Sequence, residues 1–387
     1  MRTIVVGGGI AGAAAALALR LDGHDVTVYE AYENPAGHVG GHLSLAVNGL
    51  RGLEKLGCLR EVQAAGYDIE RMRFHSGSGR RLGDVPRLRR QADPLRSVTI
   101  MRGRLVDILR RAALDAGARI VTAERLVGMV ETPESVTAEF ASGRRDTADL
   151  LVGADGIHST VRGLLDPSAP RAEYAGLYGV AGISTIEDAE VGIWNLTLAR
   201  NGVFVYSTVD EGTAWWAAQV ADPVPPPLRG GVDEAHWRRR LPGLFPEAVP
   251  AAVLAATTKV LAATHMHACG PIRTWHSDRV VLVGDAAHPV GVGQGASMSI
   301  EDALVIAAAL RTVPTIPAAL GAYAAERRPR ITRLLKHADD ARGGKKPGPV
   351  KRHLDAAMMR LFLPFYERAQ GYLYDYEPTV SAARTGA

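Results

Sequence analysis

Two stretches of the chain place glycines and acids where the phosphates and sugars of a nucleotide can be held. Near the N-terminus, Gly7-x-Gly9-x-x-Gly12 follows the β-branched run RTIVV and opens the Ala/Leu-rich segment Ile10 to Leu21. In such a turn the first glycine permits a tight bend and the second lets backbone approach a pyrophosphate. The third allows close packing of helix on strand, and the helix N-terminus favours negative charge. The next run, DVTVYE, ends at Glu30, eighteen residues past Gly12, where a carboxylate can accept hydrogen bonds from ribose hydroxyls. Strand, turn, helix, strand and acid in that order predict dinucleotide binding.

Farther along, GDAAHPVGVGQGASMSIEDA follows the apolar run DRVVLVG and crowds Gly284, Gly291, Gly293 and Gly295 around Asp285 and His288. A similar strand-then-turn pattern, DLLVGADGIHSTVR, carries Asp155. Either aspartate alone reads as a helix N-cap or turn residue. Both together, downstream of the nucleotide fingerprint, favour a binding role.

The elements that must position these residues follow from periodicity and turn signals. RTIVV, the Ile10 to Leu21 segment and DVTVYE form a βαβ unit. Gly49 to Ala65 reads as a helix, and RMRFHSGSGRRLGDVPRLRRQAD as hairpin and loop. MRGRLVDILRRAALDAG places Leu105, Ile108, Leu109 and Ala112 at helical spacing and stops at Gly117. RIVTAERLVGMV and SVTAEF read as strands, and from about Glu173 to Val220 the alternating, aromatic runs GIWNLTLA, GVFVYSTV and TAWWAAQV read as a sheet. PVPPPLRGG and RGGKKPGPVKR are breaks by composition, and the tail from His353 predicts a terminal helix docked on the core.

With 387 residues the chain can hold two domains over a large core. Lys plus Arg is 45 against 41 for Asp plus Glu, a net +4 spread along the sequence, which argues against nucleic acid as a partner. Only Cys58 and Cys269 are present, with no CxxC and no Cys/His cluster, so neither a disulfide framework nor a metal site is expected and a reduced cytoplasm fits. The apolar N-terminus is interrupted by glycines and followed by a polar turn, and no run of 18 apolar residues occurs, so no membrane insertion is expected.

GGGIAG with Glu30, MRGRLVDIL, GADGIHSTVR and GDAAH…GQGASMSIEDA, in that order over roughly residues 1 to 330, resemble the class A FAD-dependent monooxygenases, the single-component flavoprotein aromatic hydroxylases with a para-hydroxybenzoate hydroxylase-like fold. The resemblance implies an α/β protein: a Rossmann-like FAD-binding domain, an inserted, mostly antiparallel β-sheet substrate domain and a C-terminal helix. The expected division is FAD-binding domain at 1–70, 101–172 and 271–342, substrate domain at 71–100 and 173–270, and a C-terminal linker and helix at 343–387.

Carried over position by position, Gly7, Gly9 and Gly12 approach the FAD pyrophosphate, Glu30 holds the adenosine ribose, Arg102 reaches the pyrophosphate or ribityl region, and Asp285 binds the ribityl chain. Asp155 is an indirect contributor, and Arg104 competes with Arg102. Gly293, Gln294 and Gly295, leading into a helix, are expected to turn free N–H groups and a positive dipole end toward the flavin, favouring its reduced anion. The run from His288 to Gly293 is shorter than in many relatives and lacks their later proline.

The resemblance further implies that NADPH or NADH reduces FAD and that O2 adds at flavin C4a and passes one oxygen atom to the substrate, by hydroxylation, epoxidation or Baeyer–Villiger oxidation, so that no nucleophilic triad is needed. Among His75, His158, His265, His267 and His288, His288 is the candidate for a catalytic role by location. An aromatic or polycyclic small molecule would lie against the inserted sheet, with Trp194, Phe204, Tyr206, Trp215 and Trp216 as pocket candidates. Strand alternation puts Phe204 and Tyr206 on one face and Trp215 and Trp216 on opposite faces. A monomer or homodimer serving secondary metabolism is expected. The competing readings are a flavin dehydrogenase or reductase without oxygen transfer, and a non-catalytic flavin-fold binding protein; the WxWxIP pattern of flavin halogenases is absent.

Overall fold

The computed structural model describes residues 1–34, 40–187, 189–228, 232–290, 293–343 and 349–378. The chain begins β1 (Arg2–Val6), α1 (Ile10–Leu21), β2 (Asp25–Tyr29), β3 (His42–Leu45), α2 (Val47–Lys55), α3 (Leu59–Ala65), β4 (Tyr67–Ile69), β5 (Arg71–Ser76), β6 (Arg81–Pro86) and β7 (Ser97–Met101). It continues α4 (Arg102–Asp115), β8 (Arg119–Val121), β9 (Leu126–Glu131), β10 (Val136–Phe140), β11 (Arg145–Ala148), β12 (Leu150–Gly153) and α5 (Thr160–Leu165). The long strands β13 (Glu173–Ile186), β14 (Ile193–Ala199), β15 (Gly202–Asp210) and β16 (Gly212–Ala221) follow, then α6 (Glu234–Arg240), α7 (Ala248–Ala255), β17 (Thr257–Ala268) and β18 (Val280–Leu282). Three helices close the chain: α8 (Gly295–Thr312), α9 (Ile316–Gly343) and α10 (Pro349–Tyr374).

Two sheets organise these elements. The parallel sheet, β18-β12-β1-β2-β8, is the Rossmann-like core, and a seven-stranded sheet, β17-β13-β16-β15-β14-β5-β6, is antiparallel except where β14 runs parallel to β5. Smaller antiparallel sheets, β3-β7-β4 and β11-β10-β9, flank them. This is the α/β architecture with a separate, mostly antiparallel sheet that the sequence predicts. The expected helix from Gly49 to Ala65 is instead two helices, because Gly57 at φ +75° turns the chain between α2 and α3.

The parallel core is tight because α1 is built from alanine. Ala13 to Ala16 are fully buried, so α1 lies close against β1, α4 and α8 without large side chains to hold the layers apart. At the other end of the chain, α10 lays Met359, Leu363 and Tyr366 on Met72, Phe74, Leu82 and Val85, covering the outer strands β5 and β6, as expected of a docked terminal helix. Among the described residues, no helix is long and apolar enough to cross a membrane.

Candidate active site

The turn between β1 and α1 has room for nothing larger than glycine at two positions. Gly7 sits at φ +101°, and a Cβ there would lie 2.5 Å from the Ala154 carbonyl oxygen, while a Cβ on Gly12 would lie 1.8 Å from the Gly7 carbonyl oxygen. Gly9 caps α1 without a side chain over the helix end, so the first N–H groups of α1 stay free for an anion. Glu30, buried at the end of β2, accepts from the Gly8 N–H at 2.7 Å and the Tyr32 N–H at 2.9 Å. A carboxylate offers about four acceptor sites, so Glu30 is oriented by two donors and retains capacity for a sugar diol.

Arg102, first residue of α4, reaches the same place. A Cβ on Gly9 would lie 3.9 Å from its Nη2 atom, and a Cβ on Gly40 would lie 3.3 Å from its Cδ atom, whereas Arg104 is exposed. Asp285 lies on a short 3-10 turn, Gly284–Ala286, with Oδ1 3.8 Å from where Gly295 would carry a Cβ. It keeps accessible surface yet is ringed by protein atoms, as expected at the floor of a recess. That crowding pushes its pKa up, against the pull of His288 and Arg102.

Opposite Asp285, α8 begins without a side-chain cap on its first N–H groups. Gln294 is buried there with its Oε1 atom unpartnered, and Gly293 holds φ +111°. Gly291 and Val292, in the run after His288, lie outside the described residues. Two bare helix N-termini, a cation and an accessible carboxylate thus meet at one recess.

Two expected residues turn away from it. His288 is 2% exposed, and its Nε2 atom lies 2.5 Å from Asp302 Oδ2, which also accepts from the Gly284 N–H at 2.8 Å. Burial raises the Asp302 pKa, but His288 and Arg327 outweigh it and hold the group at about 2. Arg327 continues the chain of contacts through its Nε atom to Asp302 Oδ1 at 2.7 Å and its Nη1 atom to Glu301 Oε2 at 2.5 Å. Glu301 also accepts from Asn48 and Arg330. His288 is therefore a buried strut of this network, and substrate cannot reach it. Asp155 is likewise committed: it accepts from Ser159 Oγ and from the N–H groups of Thr160 at 2.7 Å and Val161 at 3.1 Å, capping α5.

The large sheet has a face toward the recess and a face away from it. Register aligns Met72, Trp194, Ser207 and Trp215 in one row, and Arg73, Asn195, Tyr206 and Trp216 in the next. Adjacent rows face opposite ways. The first row faces the parallel-sheet side, because Trp215 packs edge-on against Tyr67 at 5.1 Å and against His42 at 5.8 Å. Gly41 also abuts Ala181 there, where a Cβ would come within 2.8 Å of the Ala181 Cβ. The second row is closed by α6 and α7: Phe204 and Trp216 are fully buried with Trp237 and Phe245, and Tyr206 packs on that cluster. Of the five aromatic candidates, Trp194 and Trp215 lie on the face toward the parallel sheet, Trp215 against Tyr67 and His42 and Trp194 against the Met72 cluster beneath α10; Phe204, Tyr206 and Trp216 lie on the other face.

Comparison with known proteins decides the family. A model of the FAD binding domain family matches residues 1–338. The chain belongs to the class A flavoprotein monooxygenases. It is 32% identical over 340 residues to the aurachin C monooxygenase/isomerase of Stigmatella aurantiaca, covering 84% of this chain and 85% of that one. To the FAD-dependent urate hydroxylase of Klebsiella pneumoniae it is 29% identical, covering 87% and 88%. The solved structure of Klebsiella pneumoniae HpxO complexed with FAD and uric acid superposes with a TM-score of 0.79 at 25% identity, covering 93% of each chain.

As a class A flavoprotein monooxygenase, the protein is an enzyme that uses FAD, NAD(P)H and O2 on a small-molecule substrate. Its recess fits that cofactor chemically: unfilled backbone donors suit a pyrophosphate, and carboxylates beside them suit sugar and ribityl hydroxyls. His42 and Tyr67 pack on Trp215, Arg87 lies over Trp194 and Ser207 pairs with Trp194 on the same face of the sheet, none of them singled out by sequence. The pairing of Ser207 with Trp194 could have been found from strand register, but Arg87 is one of seven arginines between Arg71 and Arg90 and carries no local mark.

Proposed function

We propose that the protein hydroxylates an aromatic or other unsaturated, largely apolar small molecule, as part of secondary metabolism. FAD, when bound, accepts hydride from NAD(P)H and activates O2 for transfer to the substrate. The observation that carries the placement is the convergence of Arg102, Asp285 and the uncapped ends of α1 and α8 beside the face carrying Trp194 and Trp215.

In this reading Gly7, Gly9 and Gly12 let the backbone meet the pyrophosphate, Glu30 orients the adenosine ribose, and Arg102 neutralises phosphate charge. Asp285 accepts from the ribityl chain. Gly293, Gln294 and Gly295 would present the α8 N-terminus, whose donors are already in place, to the ring system of bound FAD and favour negative charge there. Trp194 and Trp215 form an apolar wall that orients a planar substrate and excludes water. Asp155 acts indirectly, by holding α5 behind Gly7. The name of the Stigmatella relative, a monooxygenase/isomerase of aurachin C, supports secondary metabolism, and the two unpaired thiols suit a cytoplasmic enzyme acting as monomer or homodimer.

The test is to load purified protein with FAD and screen aromatic metabolites for substrate-stimulated NAD(P)H oxidation with incorporation of labelled O2. Incorporation of one labelled oxygen atom into product is expected. Full product yield under anaerobic conditions would overturn oxygen transfer in favour of a dehydrogenase or reductase.

A further inference from the structure

The terminal helix α10 is apolar on two opposite sides. Met359, Leu363 and Tyr366 lie on the cluster of Met72, Phe74, Leu82 and Val85. Met358, Leu361 and Phe365, spaced three and four residues apart, form a second stripe on the outward side, where they are 44%, 65% and 59% exposed. Single exposed apolar residues are ordinary, but three large ones in line on one helix point to a surface that meets something. Arg360 and Arg368 of the same helix are also exposed.

The fold gathers positive charge around that stripe. Residues 71–90, which include the β5–β6 hairpin beneath α10, hold seven arginines and one acid, Asp84. Arg80 and Arg81 of this hairpin are exposed. Residues 342–368, which lead into α10 and form most of it, hold seven lysines and arginines against Asp355 and Glu367. Of the chain's 45 basic and 41 acidic residues, 31 and 38 remain elsewhere, so a nearly neutral protein is basic at this edge and acidic over the rest.

We propose that α10 docks the enzyme on an anionic lipid surface, with Met358, Leu361 and Phe365 entering the boundary between headgroups and acyl chains and the basic edge meeting lipid phosphate. Such a helix lies along a membrane and does not span it. A second copy of the chain fits less well: a stable pair buries about 800 Å² on each partner, more than three side chains supply, and would bring two basic edges together. Nucleic acid would meet the charge but leave the apolar stripe in water. The nine residues after Pro378, TVSAARTGA, hold a single large apolar residue, too little to cover the stripe. The inference does not depend on which reaction the enzyme catalyses.

The test is sedimentation of FAD-loaded protein with vesicles of phosphatidylcholine alone and of phosphatidylcholine mixed equally with phosphatidylglycerol, at low and high salt. The anionic vesicles are expected to bind roughly 10-fold tighter or more, and the binding to weaken as salt rises. Replacing Arg360→Gln and Arg368→Gln together is expected to lower that affinity roughly 5-fold or more. Replacing Leu361→Ser and Phe365→Ser together is expected to lower it roughly 10-fold or more, with the thermal midpoint and flavin content unchanged, because both side chains already face solvent. Equal binding to the two vesicles, binding to neither, or binding untouched by the serine pair overturns the proposal. A dimer in sedimentation velocity that the serine pair dissociates gives the face to a second copy, and duplex DNA bound more tightly than the anionic vesicles gives the charge to nucleic acid; either result overturns it as well. If the serine pair lowers the thermal midpoint, the arginine pair decides, and unchanged vesicle binding there overturns the proposal.

Discussion

Trp215 and Trp216 are neighbours in the chain and stand on opposite faces of the same sheet: Trp215 packs on Tyr67 and His42, Trp216 on Phe204 in the core beneath α6 and α7. Their truncations should separate stability from binding. Trp216→Ala removes a fully buried indole and is expected to cost about 3–5 kcal/mol in denaturant unfolding. Trp215→Ala is expected to cost less stability and to raise the dissociation constant of a substrate found by the turnover screen. Equal stability losses with unchanged binding in both variants would contradict the assignment of faces.

The alternation was legible in the sequence; the face was not. Two-residue spacing puts Phe204 with Tyr206 and separates the tryptophans, but which row meets the cofactor side depends on α6 and α7 closing the other, and those helices carry no mark of where they dock. The glycine turn, Glu30 and the position of Asp285 were legible because local backbone constraints select them. Glu301, Asp302, Arg327 and Arg330 were not, since on paper they are ordinary helix charges and their pairing joins residues 25 or more apart in the chain. The structural role of His288 is hidden for the same reason: its partner Asp302 is on another element.

Gly12→Ala should be more damaging than its single carbon suggests. The new Cβ would lie 1.8 Å from the Gly7 carbonyl oxygen, so backbone must move where α1 meets β1. Overpacking against backbone is expected to cost about 3 kcal/mol and to strip the flavin. Glu30→Ala leaves that packing alone but frees the Gly8 and Tyr32 N–H groups, so the FAD dissociation constant is expected to rise roughly 10–100-fold with a smaller change in melting. Flavin fluorescence titration and thermal melts of both variants check the contrast.

His42 gives the protein an acid-side sensitivity. Burial, aided by the Arg87 charge, pulls its pKa down to about 4, so the folded state keeps the imidazole neutral while the unfolded chain protonates near 6.5. The unfolded state then binds more protons between those values, and stability falls as pH drops from about 6.5 to 4, by at most about 3 kcal/mol and by less where cleft water screens the ring. His24, His75 and His267 are also shifted down, so the wild-type slope has several sources. The difference between wild type and His42→Gln isolates this one: the variant's urea midpoint should change less between pH 7 and pH 4.5. Parallel curves for the two proteins would refute it.

A buried strut underlies the turn that carries Asp285. Asp302 accepts from the Gly284 N–H, His288 and Arg327 at once, and all three sit in a fully enclosed network. Asp302→Asn leaves Arg327 short of a charge and sets an amide donor among donors, which is expected to cost about 3–5 kcal/mol and to loosen the turn that carries Asp285, lowering flavin content. His288→Gln removes one donor but keeps the carboxylate paired with Arg327, so the loss should be smaller, about 1–3 kcal/mol. If His288 is a strut, the variant saturated with FAD should turn over within a few-fold of wild type with an unchanged pH profile. Turnover slowed by roughly 100-fold or more, the usual scale for losing a general acid or base, would return His288 to the chemistry.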